Sequence, residues 1–212
     1  MVQEKHLASH RDEYSKSQLD ISDLPENPIE GVMSWVNLAM AEKVLEPTAM
    51  NLATVNSKNE PSIRTVLLKD LVEESFVFYT NYESEKGANI KNNNKVSLQF
   101  FWPELQKQIR IKGTATKTQA SLSDAYFNMR PRESRIGAVV SPQSKKITSR
   151  ESILDKFNEL NKQENIIRPE NWGGYMIKPF YIEFWQGRLN RIHDRIVFEK
   201  KGSDWQKYRI AP

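Results

Sequence analysis

A chain of 212 residues with 31 Lys and Arg against 27 Asp and Glu carries a net charge of +4, a field weaker than that of a typical nucleic-acid binder yet favourable to small anions. The length suffices for one generous domain with a real core. Cysteine is absent, which excludes disulfides, thiolate metal sites and cysteine nucleophiles, and of the three His two, His6 and His10, sit in a polar leader, so no metal site is expected.

The stretch 1–27, closing in Leu24-Pro25-Glu26-Asn27, is polar and patternless and is expected to be a mobile arm, with 28–212 a single domain. It holds no apolar signal core, and no later run is long enough for a membrane span, so a cytoplasmic protein is expected. From Ile29 the apolar positions Val32, Met33, Val36, Met40 and Val44 follow helical spacing up to Pro47. Short strands are then expected over Ala49 to Val55, Ser62 to Lys69, Ser75 to Asn81, Val96 to Trp102 and Gln108 to Thr116, with a short helix over Ser84 to Asn92. Thr118 is expected to cap a helix that runs to Met129 and stops at Pro131, and Thr148 with Glu151 forms a capping-box pattern before Ile153, Leu154, Phe157 and Leu160. Strand-like runs close the chain over Tyr175 to Trp185, Asn190 to Phe198 and Trp205 to Ile210, the first two joined by a turn holding Gly187. The expected fold class is mainly β with packed helices, a mostly antiparallel barrel.

The eight glycines form neither G-x-G-x-x-G nor G-x-x-x-x-G-K-[ST], so a bound phosphate needs side chains. Three clusters offer them. In Arg64-Thr65-Val66-Leu67-Leu68-Lys69 a cation stands at each end, but strand alternation turns the two to opposite sides, so one site uses both only through a bend or a second subunit; edge-strand solvation is the plainer reading. Tyr126 and Arg130 share a helical face and Ser134 follows the proline, which makes either a phosphate clamp or a simple helix C-cap. In the return strand of the last hairpin Arg191, His193 and Arg195 are expected on one face, where they repel unless an anion lies between them, and Trp185 adds a flat surface for an aromatic ligand.

The run Ile182 to Arg195, with Glu183, Phe184, Trp185, Gln186, Arg191, Ile192, His193 and Asp194 in place, resembles the signature of the pyridoxamine 5'-phosphate oxidase family. The likeness continues through Pro47-Thr48-Ala49-Met50, Arg64 to Lys69, Phe78-Tyr79-Thr80-Asn81, Arg130-Pro131-Arg132, Ser134 to Val140, Gln143-Ser144, Trp172-Gly173-Gly174 and Arg209-Ile210-Ala211-Pro212.

The resemblance implies an FMN-binding split β-barrel, a homodimer with FMN at the subunit interface, and oxidation of pyridoxine 5'-phosphate or pyridoxamine 5'-phosphate to pyridoxal 5'-phosphate, with molecular oxygen reduced to hydrogen peroxide. Neither nucleic acid nor membrane is implied as a partner. Carried over by motif, Arg64, Thr65, Val66, Leu67, Leu68, Lys69, Tyr79, Thr80, Lys86, Gln108, Gln143, Ser144, Trp185 and Arg195 would hold the flavin. Lys69, Tyr126, Arg130 and Ser134 would hold the substrate phosphate, and Arg191 and His193 would contact the pyridine ring as the catalytic pair; Arg11 and Tyr14 would be lid contacts, with Glu46 nearby. Two other readings keep the same barrel: a carrier of FMN or pyridoxal phosphate without turnover, and an FMN-dependent reductase. One departure stands out. In Asn81-Tyr82-Glu83-Ser84-Glu85-Lys86 a carboxylate occupies the place of a phosphate-binding arginine, so Glu85 is expected to turn to solvent or pair with a lysine, and FMN to bind more weakly than in relatives with arginine there.

Overall fold

The computed structural model describes residues 13–212; His6, His10 and Arg11 lie outside the described residues. In chain order the elements are α1 (Pro28–Ala41), β1 (Ala49–Val55), β2 (Pro61–Leu67), β3 (Asp70–Val72), β4 (Ser75–Asn81), α2 (Glu85–Asn92), β5 (Lys95–Trp102), β6 (Lys107–Lys117), α3 (Ala120–Met129), α4 (Arg132–Val140), α5 (Glu151–Asn161), β7 (Trp172–Gln186), β8 (Asp194–Lys201) and β9 (Asp204–Arg209). The strands follow the order β2-β1-β5-β6-β7-β4-β3, with β8 on β7 and β9 on β8. The pairs β1–β2, β3–β4, β4–β7, β7–β8 and β8–β9 are antiparallel, in keeping with a mainly β, mostly antiparallel class.

Two compact units emerge. The first comprises the described residues up to Pro47, Gln99–Ile111 and Tyr181–Pro212. Its helix α1 starts where the Asn27 side chain accepts from Ile29 N and Pro28 supplies a preset φ at the first turn. The buried stripe Val32, Trp35, Val36 and Ala39 faces inward, and Trp35 meets Phe184 edge-on at 5.1 Å. The leader is anchored here over residues 16–24: Lys16 N donates to Gln106 Oε1, Leu19 N to Asp194 Oδ2 and Arg209 Nη2 to Leu19 O, while Leu19 and Leu24 are buried.

The second unit comprises Thr48–Leu98 and Lys112–Phe180. Beneath its helices lies an apolar cluster of Phe127, Ile136, Ile166 and Trp172, with Tyr79, Tyr126, Phe157 and Leu160 packed on it.

Four local expectations are corrected. The strand expected to reach Lys69 ends at Leu67, because Leu68 N turns to Thr48 O and Lys69 N to Val77 O. Thr118 is not a cap; Gln119 holds that position, and the Thr118 hydroxyl pairs with Ser123 Oγ at 2.8 Å. Thr148 does not form the box either, since Arg150 stands at the cap and Ser149 Oγ accepts from Ser152 N. Pro131, read as a stop, also stands at the start of α4, which the sequence reading left out.

Candidate functional site

The second unit holds a cavity of about 790 Å³ lined by Arg64, Thr65, Val66, Leu67, Lys69, Tyr79, Thr80, Lys86, Tyr126, Arg130, Ser134, Gln143 and Ser144. Leu68 does not line it and is buried instead. Consecutive residues of β2 reach the cavity because β2 ends the strand order, paired among the described residues with β1 alone. The bend after Leu67 brings Lys69 to the same cavity as Arg64, one of the two ways in which a single site was expected to use both cations.

Its cations are held in different ways. Arg64 donates from Nη1 to Leu52 O (3.2 Å) and Thr54 Oγ1 (2.7 Å), from Nη2 to Ser62 Oγ (2.6 Å), and pairs with Glu85 Oε1 at 3.5 Å. Glu85 was expected to turn to solvent or pair with a lysine; it is 58% exposed, and its ion-pair partner is Arg64. Among the described residues Lys86, 8% exposed, meets only neutral oxygens within hydrogen-bond reach: Thr80 Oγ1 (3.3 Å), Ser84 Oγ (3.4 Å) and Gln143 Oε1 (3.3 Å). Burial, then the neighbouring Arg64 charge, pulls the Lys86 pKa below its ordinary value. Gly87 lets this helix start close in, for a Cβ there would stand 2.1 Å from Tyr82 O.

At Arg130 the guanidinium lies 4.7 Å over the Trp172 ring, and among the described residues its buried Nη1 has no hydrogen-bond partner. Tyr79 and Tyr126 stack at 3.9 Å beside it. Burial raises both phenols, Tyr79 to about 12, so both stay neutral donors at physiological pH. A buried ammonium without a hydrogen-bonded carboxylate and a guanidinium nitrogen without an acceptor, both among the described residues, form a donor set that fits phosphate esters. Among the described residues no group of three His, Cys, Asp or Glu is placed to hold a metal.

Gln108, Trp185, Arg191, His193 and Arg195 belong to the first unit. Gln108 Oε1 accepts from Gln99 Nε2. Trp185 pairs across the ladder with Arg195, and its ring lies 4.7 Å from His193. The expectation that Arg191, His193 and Arg195 share one strand face is corrected: β8 begins only at Asp194, and Asn190 (φ 56°) and Arg191 (φ 61°) are left-handed, so the chain turns before the strand starts. The anion expected between these cations is supplied to Arg195 by the protein, since Glu183, 1% exposed, takes its Nη2 at 2.7 Å and also Arg110 Nη1 at 3.1 Å. His193 Nδ1 accepts from Arg188 N at 3.1 Å, which leaves the ring hydrogen on Nε2. Burial, followed by the Arg191 and Arg195 charges, holds its pKa below 6.5. Tyr14 meets Trp185 and His193 edge-on at 5.7 and 5.8 Å, and it fills the space where a Cβ on Gly187 would be, 2.7 Å from Tyr14 Cγ.

Trp172, Gly137 and Ala138 were not singled out as site residues yet line the cavity. The Trp-Gly-Gly run was the available signal for the first: a Cβ on Gly173 would stand 2.7 Å from Ser123 Oγ, so the glycine lets β7 approach α3 closely.

Residues 37–164 match the family described as Pyridoxamine 5'-phosphate oxidase, and residues 172–212 the Pyridoxine 5'-phosphate oxidase C-terminal dimerisation region. Pyridoxine/pyridoxamine 5'-phosphate oxidases of Cytophaga hutchinsonii and Haemophilus influenzae are 49% and 48% identical, covering 98% and 97% of this chain and 99% of each relative. PhzG from Burkholderia lata, solved with tetrahydrophenazine-1-carboxylic acid, superposes with a TM-score of 0.88 at 27% identity, covering 93% of this chain and all of that one. A pyridoxamine 5'-phosphate oxidase-related, FMN-binding protein of Nostoc punctiforme shares the fold, with a TM-score of 0.72 at 18% identity and 89% of this chain covered.

Proposed function

The chain belongs to the pyridoxine/pyridoxamine 5'-phosphate oxidase family and has its FMN-binding split-barrel fold, and from that premise we propose that it is a dimeric FMN-dependent oxidase converting pyridoxine or pyridoxamine 5'-phosphate to pyridoxal 5'-phosphate. The observation that carries the reading is the cavity with cations at separate anchor points, Arg64 with Lys86 and Lys69 with Arg130, which suits two monophosphate esters in one site. Among the described residues no helix is long and apolar enough to cross a membrane.

In this reading Lys86, Arg64, Thr80, Gln143 and Ser144 hold the cofactor phosphate and ribityl chain, and the free backbone edge of β2 offers amides and carbonyls to a flavin ring. Gln108, Trp185 and Arg195 complete the flavin site across the dimer interface. When bound, flavin would supply a two-electron acceptor for the hydride of the substrate's exocyclic carbon, with the hydroxyl or amine proton going to water and molecular oxygen being reduced to hydrogen peroxide. Lys69, Tyr126, Arg130 and Ser134 grip the substrate phosphate, which fixes that carbon in place. Arg191 orients the pyridine ring, and His193, neutral with its hydrogen on Nε2, donates to a substrate oxygen. Purified protein is expected to be yellow and to release peroxide and aldehyde from pyridoxamine 5'-phosphate; binding without turnover would make it a carrier instead.

Two expected results arise from the geometry. Because a proton on Nδ1 would break the bond it accepts from Arg188 N, and burial with the Arg191 and Arg195 charges holds the pKa below its ordinary value, kcat/KM should be level at neutral pH and fall at acid pH as His193 takes up that proton. His193→Asn should abolish that acid limb in a pH–rate series. The second concerns Glu85, whose carboxylate competes with a phosphate for Arg64. Glu85→Arg should tighten FMN binding to apo-protein about five-fold, an effect of about 1 kcal/mol kept small by solvent screening at this exposed position. Flavin fluorescence titration measures it, and no gain would reject the competition.

A further inference from the structure

We propose that Trp172 is a positioning residue that selects for a phosphorylated substrate: its indole face seats the Arg130 guanidinium and leaves one nitrogen free for the phosphate. The inference rests on the proposed oxidase reading, in which Arg130 grips the substrate phosphate. Arg64 and Arg130 line the same cavity but are held by opposite means. Arg64 is fixed by oxygen acceptors on both Nη atoms and by the Glu85 carboxylate, which partly offsets its charge. Arg130 pairs with no carboxylate among the described residues; its guanidinium lies 4.7 Å from the Trp172 centroid, and Nη1 is buried without an acceptor. An aromatic face attracts a cation through its quadrupole without consuming an N–H and without neutralising it, so the full charge remains for an incoming dianion.

The ring is itself held in place. Trp172 is 6% exposed, meets Phe127 edge-on at 5.2 Å and lies nearly parallel to Tyr126, at 3°. Its carbonyl accepts from Arg168 Nη1 at 2.7 Å, and Arg168 Nε pairs with Asp124 at 2.6 Å on α3, the helix that carries Tyr126. Indole and clamp are thereby tied to one scaffold. A leucine at this position fills part of the volume and offers no π face, whereas phenylalanine keeps a weaker one.

The test compares holoenzyme carrying Trp172→Leu, Trp172→Phe and Arg130→Ala, alone and combined. Trp172→Leu should raise KM for pyridoxine 5'-phosphate about ten-fold with a much smaller change in kcat, and weaken pyridoxal 5'-phosphate binding by calorimetry to a similar extent. Trp172→Phe should fall between Leu and wild type, and unphosphorylated pyridoxine should respond to neither. In the Arg130→Ala background both Trp172 effects should vanish, because the seat has lost its occupant. Additive effects, equal losses for both substrates, or an unchanged KM in Trp172→Leu would overturn the proposal. Should the leucine variant fail to fold, the Phe effect with and without Arg130 decides the question alone. If Arg130→Ala itself leaves KM unchanged, the substrate-phosphate reading fails; if only the Trp172 variants are silent, that reading stands and the seat does not.

Discussion

Arg130→Ala is expected to raise KM for pyridoxine 5'-phosphate on the order of a hundred-fold. The side chain has a buried Nη1 with no acceptor among the described residues, so a phosphate oxygen arriving there gains a charge-assisted hydrogen bond without displacing one of theirs. Such bonds contribute about 1.5 to 3 kcal/mol each, roughly ten- to a hundred-fold in binding, and the guanidinium charge adds to the dianion's attraction at a desolvated site. The phosphate lies away from the reacting carbon, so the loss belongs to binding and kcat should change far less. Steady-state kinetics with phosphorylated and unphosphorylated substrate separate the two parameters. A fall in kcat with KM unchanged would remove Arg130 from the clamp.

The second large effect is on stability. Glu183 is 1% exposed and takes Arg195 Nη2, Arg110 Nη1 and the Tyr181 hydroxyl, the last at 3.0 Å. Glu183→Gln keeps the shape, removes the charge and leaves two guanidinium groups facing a neutral amide. Breaking a buried ion pair on one side costs about 3 to 5 kcal/mol. Arg110 and Arg195 are 47% and 22% exposed and can turn part of their charge to water, which places the expected loss near 3 kcal/mol, the lower end of that range. For a chain of this size that corresponds to a fall in Tm of roughly 6 to 12 °C, measurable by calorimetry on the apo-protein. A variant that melts with the wild type would show that water already satisfies both arginines.

Much of this was legible in the sequence because alternation and helical spacing report local geometry. β1 and β4 carry the expected boundaries, and Tyr126 and Arg130 line one cavity, although Arg130 stands past the end of α3 in an extended conformation rather than on its helical face. The misses have physical causes. Alternation says nothing of where a strand breaks, and the break after Leu67 depends on Leu68 and Lys69 finding partners in different segments, Thr48 before β1 and Val77 in β4. Arg191 was assigned a strand position from its neighbours' pattern, but two successive left-handed residues carry it out of the ladder. Helix α4 was hidden because proline was read only as a terminator, although it is also well suited to a helix's beginning. Trp172 reads as an ordinary core aromatic until the cation above it is seen.

The gap at Gly187 makes the seating of the leader at that point a matter of volume. Tyr14 occupies the space a side chain there would need, so a single methyl group at residue 187 contests the tyrosine's place. Ionic strength should leave this contact almost untouched, since neither a phenol ring nor a glycine carries charge to be screened. Trp185 and His193, which share the tyrosine's edge, would therefore lose their cover through crowding rather than through repulsion.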